Sequence, residues 1–154
     1  MTSDGGLQEG ALGTALTLGA VLDEGGAVLL MTSRDLEGAL RTRPVSVFWD
    51  TKEVDGPAPR VYVFTSIGAR KADELEANPE VTLGGPLADG WFAGGGAATV
   101  VRSPEESNAI VERVAPDIPV ARVTVLILTL NEARRWIVRS SHPFDNDVEQ
   151  LLAG

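Results

Sequence analysis

Runs of β-forming residues that follow one another in neighbouring pairs constrain this chain more than any other feature. Ala27 to Thr32 is a short apolar run that reads as a buried strand. A polar connection, Ser33 to Gly38, leads to Leu40–Phe48, which alternates in part and reads as the returning arm of a hairpin. Val61-Tyr62-Val63-Phe64-Thr65 is a third strand of strong β-formers. Val81–Leu83, Gly90–Val101 and Arg122–Leu130 follow, and Arg134–Val138 continues the sheet. Strands joined without a crossover helix pair antiparallel. The fold class expected is mainly β (α+β), a six-stranded antiparallel barrel with short flanking helices outside it.

The helices are read from their punctuation. A first one runs from about Gln8 to Asp23, weakened by glycines at 10, 13 and 19 and stopped by Gly25-Gly26. Thr51–Pro59 is a loop rich in charge, Gly and Pro. A helix over Ala69–Ala77 ends at Asn78-Pro79, since the residue before a proline avoids the helical region. Ser103-Pro104-Glu105-Glu106 is a helix start, with Ser as cap and Pro at the first helical position, and the helix runs to about Val114. A short C-terminal helix is expected over Asp145–Leu152. The 154 residues make one domain, with residues 1–6 and about 141–154 peripheral.

Composition removes several function classes. Thirteen Lys and Arg stand against 22 Asp and Glu, a net charge of −9, which opposes general nucleic-acid binding and an anionic membrane surface. With no cysteine there are no disulfides, thiolate metal sites or cysteine nucleophiles. His142 is the single histidine and cannot build a usual zinc site, so no metal is expected. Between Ser141 and Pro143 it reads as a solvated loop residue. No basic residue precedes Arg34, and the apolar stretch Ala11–Leu22 is too short to span a bilayer, so a cytoplasmic protein is expected. P-loop, dinucleotide-binding and nucleophile-elbow signatures are absent. The pair Asp73 and Glu74 has the spacing of a solvated helix face.

Three segments have the residue types of a binding site. In Thr65-Ser66-Ile67-Gly68-Ala69-Arg70-Lys71, a strand ends in two hydroxyls, a glycine turn follows, and a helix opens with two cations. Free N–H groups and the helix dipole favour an anion there, whereas helices ordinarily take acids in the first turn. A bound phosphate and a plain exposed basic pair both account for it. In Arg41-Thr42-Arg43-Pro44-Val45, a proline inside a strand marks an edge or bulge, either to protect that edge or to lie along a flat polar ring. In Gly90-Trp91-Phe92-Ala93-Gly94-Gly95-Gly96-Ala97, small residues after two aromatics admit a close backbone or ring, or mark a kinked barrel strand.

Taken in order, these segments resemble the pyridoxamine-phosphate-oxidase-like family, the FMN-binding split barrel, including its general-stress-protein branch. The matching residues are Val28–Thr32, Arg43-Pro44-Val45, Phe64-Thr65, Arg70-Lys71 with Glu74-Leu75, Asn78-Pro79-Glu80-Val81, and Trp91 with Gly96-Ala97-Ala98. The spacing holds over about residues 8–101, and Ala133-Arg134-Arg135-Trp136 is similar to the family's last strand. The resemblance implies a homodimer with two FMN sites at its interface and an FMN-dependent oxidoreductase activity on an unassigned small-molecule substrate. It implies that Thr65, Ser66, Arg70 and Lys71 hold the FMN phosphate and that Arg43, Pro44 and Val45 run beneath the isoalloxazine ring. It also places Trp91 and Trp136 near the dimer seam, where either approaches the flavin held by the partner.

The sequence departs from that pattern in places. Ala69 stands where the stress-protein branch often has Ser, and the triple glycine replaces a more usual Val-x-Gly stretch. The C-terminal residues that serve pyridoxal phosphate have no match, which sets oxidation of pyridoxamine phosphate aside. A deazaflavin in the same fold is the second reading. An N-terminal arm with Asp4, Glu9, Asp23 and Glu24 and no cation would repel that cofactor's acidic tail. A cofactor-free dimer is the third reading, and haem on His142 the last. No side chain stands out as a catalytic acid or base.

Overall fold

The computed structural model describes residues 17–25, 28–118, 123–139 and 142–152. In chain order the elements are α1 (Leu18–Gly25), β1 (Val28–Arg34), β2 (Leu40–Phe48), α2 (Thr51–Val54), β3 (Arg60–Ser66), α3 (Arg70–Ala77), β4 (Glu80–Leu87), β5 (Gly90–Val101), α4 (Pro104–Val114), β6 (Val123–Arg139) and β7 (His142–Gln150). The strands lie in the order β3-β2-β1-β4-β5-β6-β7, and a further pairing of β3 with β6 closes the first six into an antiparallel barrel. Every pairing among the described residues is antiparallel, as expected.

Alternation sorts the side chains. Leu29 and Met31 of β1, Val45 and Val47 of β2, Val61 and Val63 of β3, Val81 and Leu83 of β4, Phe92 of β5 and Leu126, Leu128 and Leu130 of β6 point into the barrel and are buried. Leu18, Val21 and Leu22 of α1 join this core. Fully burying such a side chain stabilises by about 1.5–3 kcal/mol. A second cluster lies outside the barrel, where Val111 of α4 packs on Tyr62, Val101 and Val125, flanked by the stacked rings of Phe48 and Phe64. Ser103 caps α4 by accepting from the Glu106 N–H, with Pro104 at its start, as expected.

Four expectations need correction. Thr51–Val54 is a one-turn helix, not loop, because Asp50 accepts the Lys52 N–H at 2.8 Å and starts the turn. The two pieces read as Arg122–Leu130 and Arg134–Val138 are one 17-residue strand. Register shifts between Gly95 and Gly96, where Gly95 faces Glu132 and Gly96 faces Leu130, so Asn131 is the extra residue of a bulge. Gly96 is required there, since a Cβ would run into the Thr129 carbonyl.

The C-terminal segment is not a helix but strand β7, paired from Arg139–His142 to Arg134–Gln150. Beyond Thr129 the long β6 has outrun β3, and its free edge offers the tail a ladder that outweighs local helix preference. His142 therefore opens a strand and does not lie in a loop. Most of the expected first helix, and the expected frayed N-terminus, fall outside the described residues. The part within them, Leu18–Gly25, is helical and stops where the glycine pair begins.

Candidate functional site

The site is built where two strands part. β2 and β3 pair only at Val47–Val63 and Phe48–Tyr62. Carried on, that register would set Val45 against Thr65 and Pro44 against Ser66, but no pairing is recorded there. In that stretch β2 pairs with β1 alone and β3 with β6 alone. Pro44 thus sits where no β3 residue asks for its missing N–H, which is the edge position its presence implied.

The end of β3 turns sharply into α3 at this opening. Ala69 donates its N–H to the Ser66 carbonyl at 3.0 Å, and Gly68 has φ +80°, so residues 66–69 form a turn that needs glycine at its third position. α3 then starts on Ala69 with no side-chain cap, leaving its first N–H groups without a side-chain acceptor. Thr65, the last β3 residue before the turn, is half-buried, and Ser66, which opens it, is exposed.

Three cations meet a single buried carboxylate here. Arg43 Nη2 lies 2.9 Å from Glu74 Oε1, and Arg70 Nε lies 3.4 Å from Glu74 Oε2. Arg70 also reaches Glu37 at 3.3 Å. The Glu74 side chain is 1% exposed and that of Arg43 31%. Arg43 Nη1 is buried and has no hydrogen-bond partner. Lys71 is half-buried, and its ammonium is held below the usual lysine range by burial and then by the nearby charge of Arg43, against the opposing pull of Glu74. Two cations crowded beside an unsatisfied guanidinium nitrogen are a place where an oxyanion would be welcome.

The remaining site residues are placed differently. The Val45 side chain is in the core, so only its backbone faces outward. Pro44 is exposed on the outer sheet face, opposite Leu30. Trp91, 40% exposed, and the half-buried Trp136 are cross-strand partners on β5 and β6. They share that outer face but stand at its far side, with β1 and β4 between them and β2. Arg43, Arg70 and Lys71 are brought together beside the turn carrying Thr65 and Ser66, and the two tryptophans are not.

Glu74 was missed by the reading of Asp73-Glu74 as a solvated face. Asp73 is solvated and pairs with Arg102 at 2.7 Å, but Glu74 is buried. The signal was available, since Lys71, Glu74 and Leu75 have the i, i+3, i+4 spacing of one helix face. Among the described residues no group of His, Cys, Asp or Glu is arranged to hold a metal.

No family model and no curated protein matches the chain. Solved structures do match. A NimC/NimA family protein from Clostridium acetobutylicum is similar with a TM-score of 0.56 at 16% identity, over 85% of this chain and 88% of that one. General Stress Protein 26 from Bacillus anthracis gives 0.56 at 15% identity, over 87% and 95%. A pyridoxamine 5'-phosphate oxidase-related, FMN-binding protein from Nostoc punctiforme gives 0.56 at 12%, over 82% and 87%. An F420 reductase is also similar, with a TM-score of 0.53 at 14% identity. The six-stranded barrel, the parting of β2 from β3 and these likenesses agree on one conclusion: the chain has the split-barrel fold of the pyridoxamine-phosphate-oxidase-like proteins.

Proposed function

We propose that this chain binds FMN through its phosphate at the β3–α3 turn and works as a flavin-dependent oxidoreductase in a homodimer. The observation that carries the reading is the cluster of Arg43, Arg70 and Lys71 at an uncapped helix start, with Arg43 Nη1 buried and unpartnered. The Nostoc neighbour is described as FMN-binding, which supports the same ligand here. A flavin supplies hydride or electron transfer at its ring.

The chain's own residues bind and orient. Arg43 and Lys71 would take phosphate oxygens, with the Ser66 and Thr65 hydroxyls beside them. The backbone of Pro44 and Val45, free of β3, offers an edge for the ring. Val28, Leu30, Leu40 and Trp91 leave the outer sheet face apolar and open, which suits a second copy of the chain. Trp91 and Trp136 would then meet the flavin held by the other protomer, since within one chain they stand far across the sheet from the turn.

FMN titration of the purified protein, followed by flavin absorbance and fluorescence, tests this. One FMN per chain is expected, with riboflavin much weaker. Arg43→Ala or Lys71→Ala should each weaken FMN roughly tenfold to a hundredfold, the scale of one charge-assisted hydrogen bond. Equal binding of FMN and riboflavin would refute the phosphate assignment. The F420 reductase neighbour favours a deazaflavin as the second reading, and binding of that cofactor in place of FMN would select it.

A further inference from the structure

Asp35 and Glu74 are the buried carboxylates among the described residues, and their company differs. Asp35 accepts the N–H groups of Glu37 and Ala39 and the Nε of Arg41. Glu74 faces cations instead. Its Oε1 has no aligned hydrogen bond although Arg43 Nη2 is 2.9 Å away, and its Oε2 has Arg70 at 3.4 Å. A carboxylate so buried is costly unless nearby charge compensates it. Conversely, Arg43 and Lys71 repel one another and need an anion between the strand and the helix. Lys71 makes no ion pair among the described residues, and Arg43 keeps one amino group unused.

We propose that Glu74 is a positioning residue for the anion site: it is the resident counter-ion that holds Arg43 by one amino group, leaves the other for a phosphate oxygen, and lets Lys71 stay charged beside it. The proposal rests on the phosphate reading above. An incoming phosphate then need not displace the carboxylate, because Arg43 Nη1 and Lys71 Nζ are both uncommitted. The other charges around this helix are already engaged. Arg70 reaches Glu37 from the exposed side, Asp35 is paired with Arg41, and Arg34 donates to the Gly38 carbonyl. Asp73 and Glu76 are taken by Arg102 from the end of β5.

On charge alone Glu74 would instead compete with the anion and weaken its binding, and the two roles predict opposite signs. Glu74→Gln keeps the shape and removes the charge. It should weaken FMN binding roughly tenfold, the scale of one ionic contact. In the native chain FMN affinity should fall on the alkaline side as Lys71 loses its proton, and in the Gln variant that fall should begin at lower pH. Glu74→Asp, which keeps the charge, should restore the native profile in large part.

A second readout needs no ligand. Lys52 and Lys71 are the chain's two lysines, so 13C-labelled lysine with Lys52→Arg reports Lys71 alone by NMR. Its titration should shift down in Glu74→Gln and up in Arg43→Gln, which also serves if the former fails to fold. Unchanged or tighter FMN binding by Glu74→Gln would overturn the proposal. So would a loss uniform in pH with Lys71 unmoved, which marks packing only. If the native chain ignored FMN, the phosphate reading would fall, and the lysine titration would still decide whether Glu74 couples Arg43 to Lys71.

Discussion

Asp35 shows what a carboxylate does when its partners are backbone. The Ala39 N–H holds its carboxyl below the usual range, aided by Arg41 and the Glu37 N–H and opposed by burial. A group whose folded pKa is depressed contributes stability above its unfolded pKa, about 4, and loses it as pH falls through the folded value. Asp35→Asn should therefore lower the urea midpoint at neutral pH, and the difference from the native chain should shrink as pH is taken from 5 to 2. A difference constant over that range would show that charge is not involved. At this scale the sequence was legible where a residue type was out of place. Arg70-Lys71 at a helix start and Pro44 in a strand each broke a local rule, and both lie at the site. Glu74 broke none, because an acid on a charged helix is ordinary. Its burial is marked only by its place one residue before Leu75 and three after Lys71 on the same helix face.

Elements were legible where their ends are chemically marked. α3 and α4 match their expected spans closely because Asn78-Pro79 and Ser103-Pro104 punctuate them. Ser103→Ala should cost about 0.5–1 kcal/mol, toward the low end for a cap because the Oγ to Glu106 N–H distance is a long 3.4 Å, read as a small drop in thermal midpoint with unchanged fold. No change at all would mean that Pro104 alone sets the helix start. The C-terminal strand was not legible, although its partner directly precedes it in the chain, because the free edge it pairs with exists only where β6 runs on past the end of β3. The same holds for the bulge at Asn131, which joins two strand pieces into one only because β5 runs beside both.

At the scale of the whole molecule, the antiparallel barrel was legible from the succession of strands, whereas the pair that closes it, β3 with β6, was not, since two other strands and two helices lie between them in the chain. The open outer face makes assembly testable. Sedimentation should give twice 16.2 kDa, and Trp91→Asp, which puts a charge on the exposed sheet, should return the mass toward one chain without unfolding it. A native mass of one chain would refute the dimer.

The unequal ladders also have a mechanical consequence. β1 and β2 pair with each other over seven residue pairs, yet the hairpin is joined to β4 by three and to β3 by two. It is thus a stave held in place mainly by Leu29, Met31, Val45 and Val47 pressing on the core and by Arg43 reaching α3. Such a stave can work loose as a unit, its own ladder intact, before the rest of the barrel gives way. The contacts of Arg43 with Glu74 and of Arg70 with Glu37 add a latch between the hairpin and α3, so residues that would grip a phosphate also help to hold the wall beside it shut.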